Sequence, residues 1–366
     1  MSDKRKIRVG ITQGDINGIG YEVIFKTFAV PEMFDICTPV VYGSPKAAAY
    51  HRKALETEIS YNAVENDNDI QDGKLNLINC NSDELHIELG CTTQEAGQAA
   101  FEALERAVKD YHEGKIDVLV TAPINKSTIQ NENFNFPGHT EYLQERCGGE
   151  GEKSLMLLCS GELRVAVATS HLPLSKVPAA ITEELLEEKL TILNRSLIED
   201  FNIDAPKIAV FSLNPHAGDN GLLGNEEIET ITPTIRKMND SGIFCYGPFA
   251  ADGFFGSGKY DSFDAILAMY HDQGLAPLKA LGMDDGINFT AGLPVVRTSP
   301  AHGVAYDIAG KGIADENSFR QAIYSAIDIY RNRTMYNEAR RHPLRKLYFE
   351  KRDDSNRLNL QQNDNE

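Results

Sequence analysis

Val165-Ala166-Val167-Ala168-Thr169-Ser170-His171, Ile208-Ala209-Val210-Phe211-Ser212-Leu213-Asn214-Pro215-His216 and Ala265-Ile266-Leu267-Ala268-Met269-Tyr270-His271 share one design. Each is an apolar run of strand length that stops at a histidine beside a polar stretch. Strand-like runs alternate with helical ones almost throughout the chain, which argues for an α/β fold with a mainly parallel sheet covered on both faces. In such sheets the carboxyl ends of the strands point at one crevice, where ligands bind. His171, His216 and His271 delivered to one crevice would form a site for a divalent metal with coordination positions left open. The alternative for each, taken singly, is an ordinary loop or core histidine. Only nine histidines occur in the chain, and three occupy equivalent positions.

Working outward, residues 7–12 read as a strand, followed by a glycine-bearing loop at 14–20 and a helix from about Tyr21. Residues 39–43 read as a strand and Pro45 opens a helix. The stretch 65–88 is polar and irregular. Thr92-Thr93-Gln94-Glu95 has the form of a capping box, and the apolar spacing from Ala96 to Tyr111 is helical, with Gly114 as its stop. Residues 116–122 then read as a buried strand. Helices are expected over 183–201, over 225–239 with a kink or late start at Pro233, and over 321–339. From Asp353 onward the composition offers too little apolar surface to fold, so a disordered tail is expected over 353–366.

At 366 residues the chain exceeds the usual single-core limit, and two domains are expected. With 42% hydrophobic and 25% charged residues it is ordinary for a soluble protein, and no apolar run is long enough to span a bilayer. Residues 1–6 lack the apolar stretch of a signal peptide. Six scattered cysteines without a CxxC pair suit a cytoplasmic chain with reduced thiols. The net charge of −18 argues against a nucleic-acid or anionic-membrane partner. A small anionic substrate would need local cations against that field.

Candidates for that role exist. Gly14, Gly18 and Gly20 do not fit GxGxxG; the loop is either an anion cradle of backbone N–H groups or a tight turn. Lys126 follows a buried strand and, with its pKa lowered by burial, would suit a general base. His139 and Thr140 follow Pro137-Gly138 and open a helix able to meet a phosphate or carboxylate. Lys279, Asn288 and Arg297 supply polar groups after His271, and Asp252 is a further carboxylate that could face the site. The stretch 298–312, rich in small residues, would let a flat ligand approach the backbone.

Taken together, residues 12–22 (TQGDINGIGYE), 121–126 (TAPINK), 137–142 (PGHTEY), 168–174 (ATSHLPL), 213–227 (LNPHAGDNGLLGNEE), 270–279 (YHDQGLAPLK) and 292–315 (GLPVVRTSPAHGVAYDIAGKGIAD) resemble the 4-hydroxythreonine-4-phosphate dehydrogenases of pyridoxal phosphate biosynthesis. The resemblance runs in order from about Arg8 to Ala326. Residues 302–312 also resemble the adenosine-binding loop of isocitrate and isopropylmalate dehydrogenases. It implies two α/β/α domains with mainly parallel sheets and an interdomain cleft, one from 1–145 plus 285–350 and the other from 146–284. It implies metal ligation by His171, His216 and His271, the metal being zinc, cobalt, magnesium or manganese. Substrate contacts would come from His139, Thr140, Lys279, Asn288 and Arg297 with Asp252, and cofactor contacts from His302, Gly303, Asp307 and Gly310. The cofactor would be NAD or NADP, and the active unit a cytoplasmic homodimer with a shared site.

The chemistry so implied is NAD-dependent oxidation and decarboxylation of 4-phosphohydroxy-L-threonine to 3-amino-2-oxopropyl phosphate. Relatives with the same motifs act on threonate or erythronate 4-phosphate. Acyl transfer to phosphate and a non-enzymatic binding module are the more distant alternatives. Ile16 and Tyr21 depart from prolines common in the family's first motif, as a loop variation would, and neither 66–88 nor the tail has an assigned role.

Overall fold

The computed structural model describes residues 5–342 except 66–68, 83 and 133. The expected disordered tail lies outside the described residues. Twelve strands form one sheet: β1 (Arg8–Thr12), β2 (Thr38–Gly43), β3 (Tyr61–Val64), β4 (Leu75–Asn79), β5 (Val118–Thr121), β6 (Leu155–Ser160), β7 (Leu163–Thr169), β8 (Ile208–Phe211), β9 (Cys245–Phe249), β10 (Ala265–Tyr270), β11 (Ile287–Ala291) and β12 (Arg297–Pro300). Their spatial order is β3-β4-β2-β1-β5-β12-β11-β6-β7-β10-β8-β9. From β3 to β12 every pairing is parallel, and so is every pairing from β7 to β9. Between these blocks β11 runs antiparallel to both β12 and β6, and β6 antiparallel to β7.

Three reversals in succession leave the two parallel blocks running in opposite directions. The carboxyl ends of β7, β10 and β8 therefore share one edge, whereas those of β5 and β12 leave by the other. A single crevice at all strand ends does not form, because an antiparallel ladder lies between the blocks. The ladder starts at a two-residue turn, Gly161-Glu162, in which Gly161 has φ +53° and joins Ser160 to its partner Leu163.

Helices cover both faces. The helix Gln94–His112 begins one residue later than the expected capping box. Thr93 is its N-cap, accepting from the Ala96 N–H at 3.2 Å. Glu95 instead accepts from the His86 N–H at 2.9 Å. Its buried face is Ala96, Ala99, Ala100, Ala103, Leu104, Ala107 and Val108, and Gly114 at φ +70° closes it. The expected kink near Pro233 takes the form of a π-helical turn, Glu227–Ile231, leading into the helix Thr232–Asp240. Pro233 follows just after that turn, whose wider register accommodates the proline's missing N–H. The helices Glu183–Glu199 and Asn317–Arg340 sit where periodicity placed them.

His271 does not enter a loop. It opens the helix His271–Gly282, which packs on β10, β7 and β6. Gly274 makes that contact close, since a Cβ there would lie 2.7 Å from Val165 and 2.8 Å from Ala268. In an exposed helix Gly→Ala stabilises by ~1 kcal/mol; here overpacking reverses the sign. Gly274→Ala is expected to destabilise by ~1–3 kcal/mol in urea denaturation.

Candidate active site

A cavity of about 240 Å³ lies over the antiparallel ladder. Thr290 pairs with Arg297, while Asn288 pairs with both Ser299 and Leu158, so these side chains and Met156 share one sheet face, and Met156, Leu158, Asn288, Arg297 and Ser299 form the cavity floor. One wall is the end of β5 with the helix His139–Cys147. The opposite wall is His171, after β7, and His271 with Lys279 on the next helix. The two opposed parallel blocks thus deliver their carboxyl ends to opposite sides of one floor.

Arg297 is the centre of the charge balance. It is 3% exposed, and among the described residues no carboxylate lies within ion-pair distance of it. Its Nε and Nη2 donate to the Thr121 hydroxyl at 3.0 and 2.6 Å, and its Nη1 to the Thr290 hydroxyl at 3.2 Å. Nη2 also lies 3.1 Å from Nδ1 of His139. Burial away from water pushes the guanidinium down to about 10. His139 is 8% exposed, and burial, with the Arg297 and Lys126 charges, holds it well below the usual histidine range. Because Nδ1 accepts from Arg297, the ring proton is on Nε2, which is buried and has no partner among the described residues. The Asn288 Oδ1 and His302 Nε2 atoms are buried and unpartnered too. The open His139 Nε2–H beside this cation would be satisfied by an anionic ligand. Asn288 Oδ1 and, with its Nδ1 donating to the Gly303 carbonyl at 3.0 Å, His302 Nε2 are open acceptors that would meet a donor of the same ligand.

The His171 and His271 rings lie 6.2 Å apart, centroid to centroid. Nδ1 of His171 is 3.6 Å from Glu141, and Nδ1 of His271 is 2.6 Å from Asp272. A carboxylate at Nδ1 leaves Nε2 as the ligating nitrogen. On His171 that nitrogen is 3.1 Å from the Lys126 ammonium. Lys126 is exposed rather than buried, so the reason given for it as a base from sequence does not hold.

His216 does not line the cavity. It is exposed and lies beyond β8, in a left-handed turn in which residues 216–220 have φ between 42° and 78°. Such a turn is costly for side chains other than glycine. The buried Glu227 carboxylate steadies it, accepting from the Leu213 and Asn214 N–H groups at 2.8 and 2.7 Å. Gln273 ties the strand ends together, accepting from the Met269 N–H at 2.7 Å and donating to the Ser212 carbonyl at 2.6 Å. Among the described residues no group of three His, Cys, Asp or Glu side chains comes close enough to hold a metal ion. Thr140 lines the cavity, whereas Asp252 is exposed on the helix Ala251–Gly256, away from it.

His302 and Gly303 reach the cavity; Asp307 and Gly310 lie further along the same loop. The N-terminal glycine loop clamps that loop. Residues 13–20 are all buried, and the N–H groups of Gln13, Asp15, Asn17, Gly18 and Ile19 are used internally, Asp15 to the Pro123 carbonyl at 2.9 Å and Ile19 to the Val304 carbonyl at 3.1 Å. The loop is a tight turn, closed to anions. Ile16 and Tyr21 are core residues in it rather than loop variation: Ile16 is fully buried, and the Tyr21 hydroxyl is 2.8 Å from Gln13 Oε1. Tyr306 donates to the buried Asp15 at 2.6 Å, a link with no sequence signal. Glu141 and Thr121 were inside quoted motifs, but only their spatial neighbours reveal them.

Residues 35–326 match the family model described as pyridoxal phosphate biosynthetic protein PdxA. The chain belongs to this family. It is 61% identical over 358 residues to a 4-hydroxythreonine-4-phosphate dehydrogenase of Bacteroides thetaiotaomicron, covering 98% of both chains. It is 38% identical over 336 residues to a D-threonate 4-phosphate dehydrogenase of Cupriavidus necator, covering 90% of this chain and 98% of that one. The crystal structure of the 4-hydroxythreonine-4-phosphate dehydrogenase from Klebsiella pneumoniae superposes with a TM-score of 0.76 at 31% identity, covering 90% of this chain and 99% of that one. Among the described residues of this PdxA-family chain, no helix is long and apolar enough to cross a membrane. All six cysteines are free.

The depressed His139 and His51 have a consequence for stability. Unfolded, each takes up a proton below pH ~6.5; folded, each refuses it until lower pH. The unfolded state then binds more protons, so stability is complete above that value and falls as pH drops through it. His139→Gln is expected to flatten the fall between pH ~6.5 and ~5 in denaturation midpoints.

Proposed function

We propose that this protein carries out NAD-dependent, metal-assisted oxidation and decarboxylation of 4-phosphohydroxy-L-threonine to 3-amino-2-oxopropyl phosphate, in pyridoxine 5'-phosphate formation. The observation that carries this reading is the buried, unpaired Arg297 with the His139 Nε2–H beside it, facing two carboxylate-backed imidazoles across one floor. The 61% identity to a dehydrogenase named for that substrate supports the choice. Threonate or erythronate 4-phosphate is the second reading, favoured by the threonate-phosphate relative.

Arg297, His139, Thr140 and Lys279 bind and orient the phosphate or carboxylate, and Asn288 presents an acceptor to a hydroxyl or ammonium group. Lys126, whose Nζ lies 3.1 Å from His171 Nε2, would in its neutral form take the substrate hydroxyl proton as the hydride leaves the same carbon; the β-keto acid then loses CO₂, and the enolate left behind takes up a proton. When bound, the nicotinamide would accept the hydride, and a divalent cation would polarise the hydroxyl oxygen. His171 and His271 fit two positions of such a cation site, and His216 is the third donor in this reading. Homodimerisation would let a second copy complete the set. Exposed leucines flanking two of these histidines support that association: Leu172, Leu174, Leu222 and Leu223 are 44%, 69%, 78% and 44% exposed. His302, Gly303, Asp307 and Gly310 would receive the adenosine half of NAD or NADP, and Asp252 would approach only by rearrangement. The division into 1–145 plus 285–350 and 146–284 is part of the same reading, supported by the change of strand direction beyond β12.

The test is NADH formation with 4-phosphohydroxy-L-threonine, threonate 4-phosphate and erythronate 4-phosphate, with and without chelator. The expected result is highest kcat/KM on the first substrate, lost with chelator. His216→Ala is expected to stay folded, lose metal and lose turnover. Full turnover in metal-depleted His216→Ala protein would overturn the metal role.

A further inference from the structure

We propose that Thr121 is a positioning residue for an oxyanion site, holding Arg297 so that Arg297 in turn locks His139 as an Nε2–H donor. This deepens the proposed function and rests on it for the identity of the ligand. Guanidinium carries five N–H donors. Four contacts are made inside the protein, two to Thr121 Oγ1, one to Thr290 Oγ1 and one to His139 Nδ1. One Nη1 hydrogen remains, next to a histidine whose outward N–H has no partner. Every hydrogen-bond partner of the cation is neutral, and the Glu141 carboxylate across the cavity acts on it only at longer range, so most of its charge is left for the ligand. Had a carboxylate held Arg297, the same geometry would offer hydrogen bonds without net attraction.

Thr121 is fully buried at the carboxyl end of β5, and its hydroxyl accepts from two guanidinium nitrogens at once. That fork fixes the guanidinium plane and aims Nη2 at Nδ1 of His139. The ring cannot then carry its proton on Nδ1, and Nε2 becomes an obligatory donor, buried and without a partner among the described residues, on a ring that lines the cavity together with Arg297. At the Arg297–His139 corner the site therefore presents donors only, which suits an acceptor oxyanion such as a phosphate monoester or a carboxylate.

Three full-length proteins test this: wild type, Thr121→Val, which keeps the shape and removes the acceptor, and Thr121→Ser, which restores it. Inorganic phosphate and acetate are titrated by calorimetry, and the His139 tautomer is read from ring ¹⁵N shifts without ligand. The expected result is an Nε2–H tautomer in wild type and Thr121→Ser, lost or mixed in Thr121→Val. Phosphate affinity should fall about tenfold or more in Thr121→Val, the loss of a hydrogen bond to a charged group, and recover in Thr121→Ser. A carboxylate site would show the same pattern with acetate in place of phosphate. An Nδ1–H tautomer in wild type, or an unchanged tautomer and unchanged affinities in Thr121→Val, overturns the proposal. If wild type binds neither anion, the ligand assignment falls with the functional reading, while the tautomer comparison still decides whether Thr121 positions His139.

Discussion

A guanidinium buried in the middle of a sheet, hydrogen-bonded only to hydroxyls and one neutral imidazole, is the constraint to which the rest of the site answers. Desolvating a charge is costly unless something compensates for it. In Arg297 the compensation is incomplete by design of the surroundings: its neighbours orient it and do not neutralise it. The chain as a whole carries a net charge of −18. An anionic ligand is therefore attracted only where the local field is inverted, and that place is the floor of this cavity.

The antiparallel ladder makes such a floor possible. In a fully parallel sheet the ligands would meet strand ends and loops. Here β6, β11 and β12 present side chains of their flat face between two blocks whose ends converge from opposite sides. Rigid strands carry Arg297 and Asn288, and helix starts carry His139 and His271. Both helices direct the positive ends of their dipoles toward the cavity.

Much of this was legible in the sequence because it is local. Periodicity of alanines and leucines marked the helix Gln94–His112, and apolar runs marked β1, β2, β5, β8 and β10. The cavity residues His139, Thr140, His171, His271, Lys279, Asn288 and Arg297 stand within recognisable motifs. What was not legible depends on pairing across the chain. Strands β6 and β11 drew no strand reading from the sequence; both are largely buried and lack the alternation of a half-exposed antiparallel strand, and direction has no one-residue signature. Thr121 and Arg297 are 176 positions apart, and only the fold shows that one holds the other. In the turn at His216 six consecutive residues, 216–221, have positive φ and only two of them are glycines, so nothing at His216 or Ala217 announces it.

Thermal unfolding with and without phosphate, for wild type and Arg297→Met, tests the unpaired cation most directly. Phosphate should raise the wild-type midpoint, as any ligand of the folded state does. Ligand-free Arg297→Met should melt at or above the wild-type temperature and show no response to phosphate. A variant that melts well below wild type, or one that phosphate still stabilises, would contradict a charge left open for its ligand.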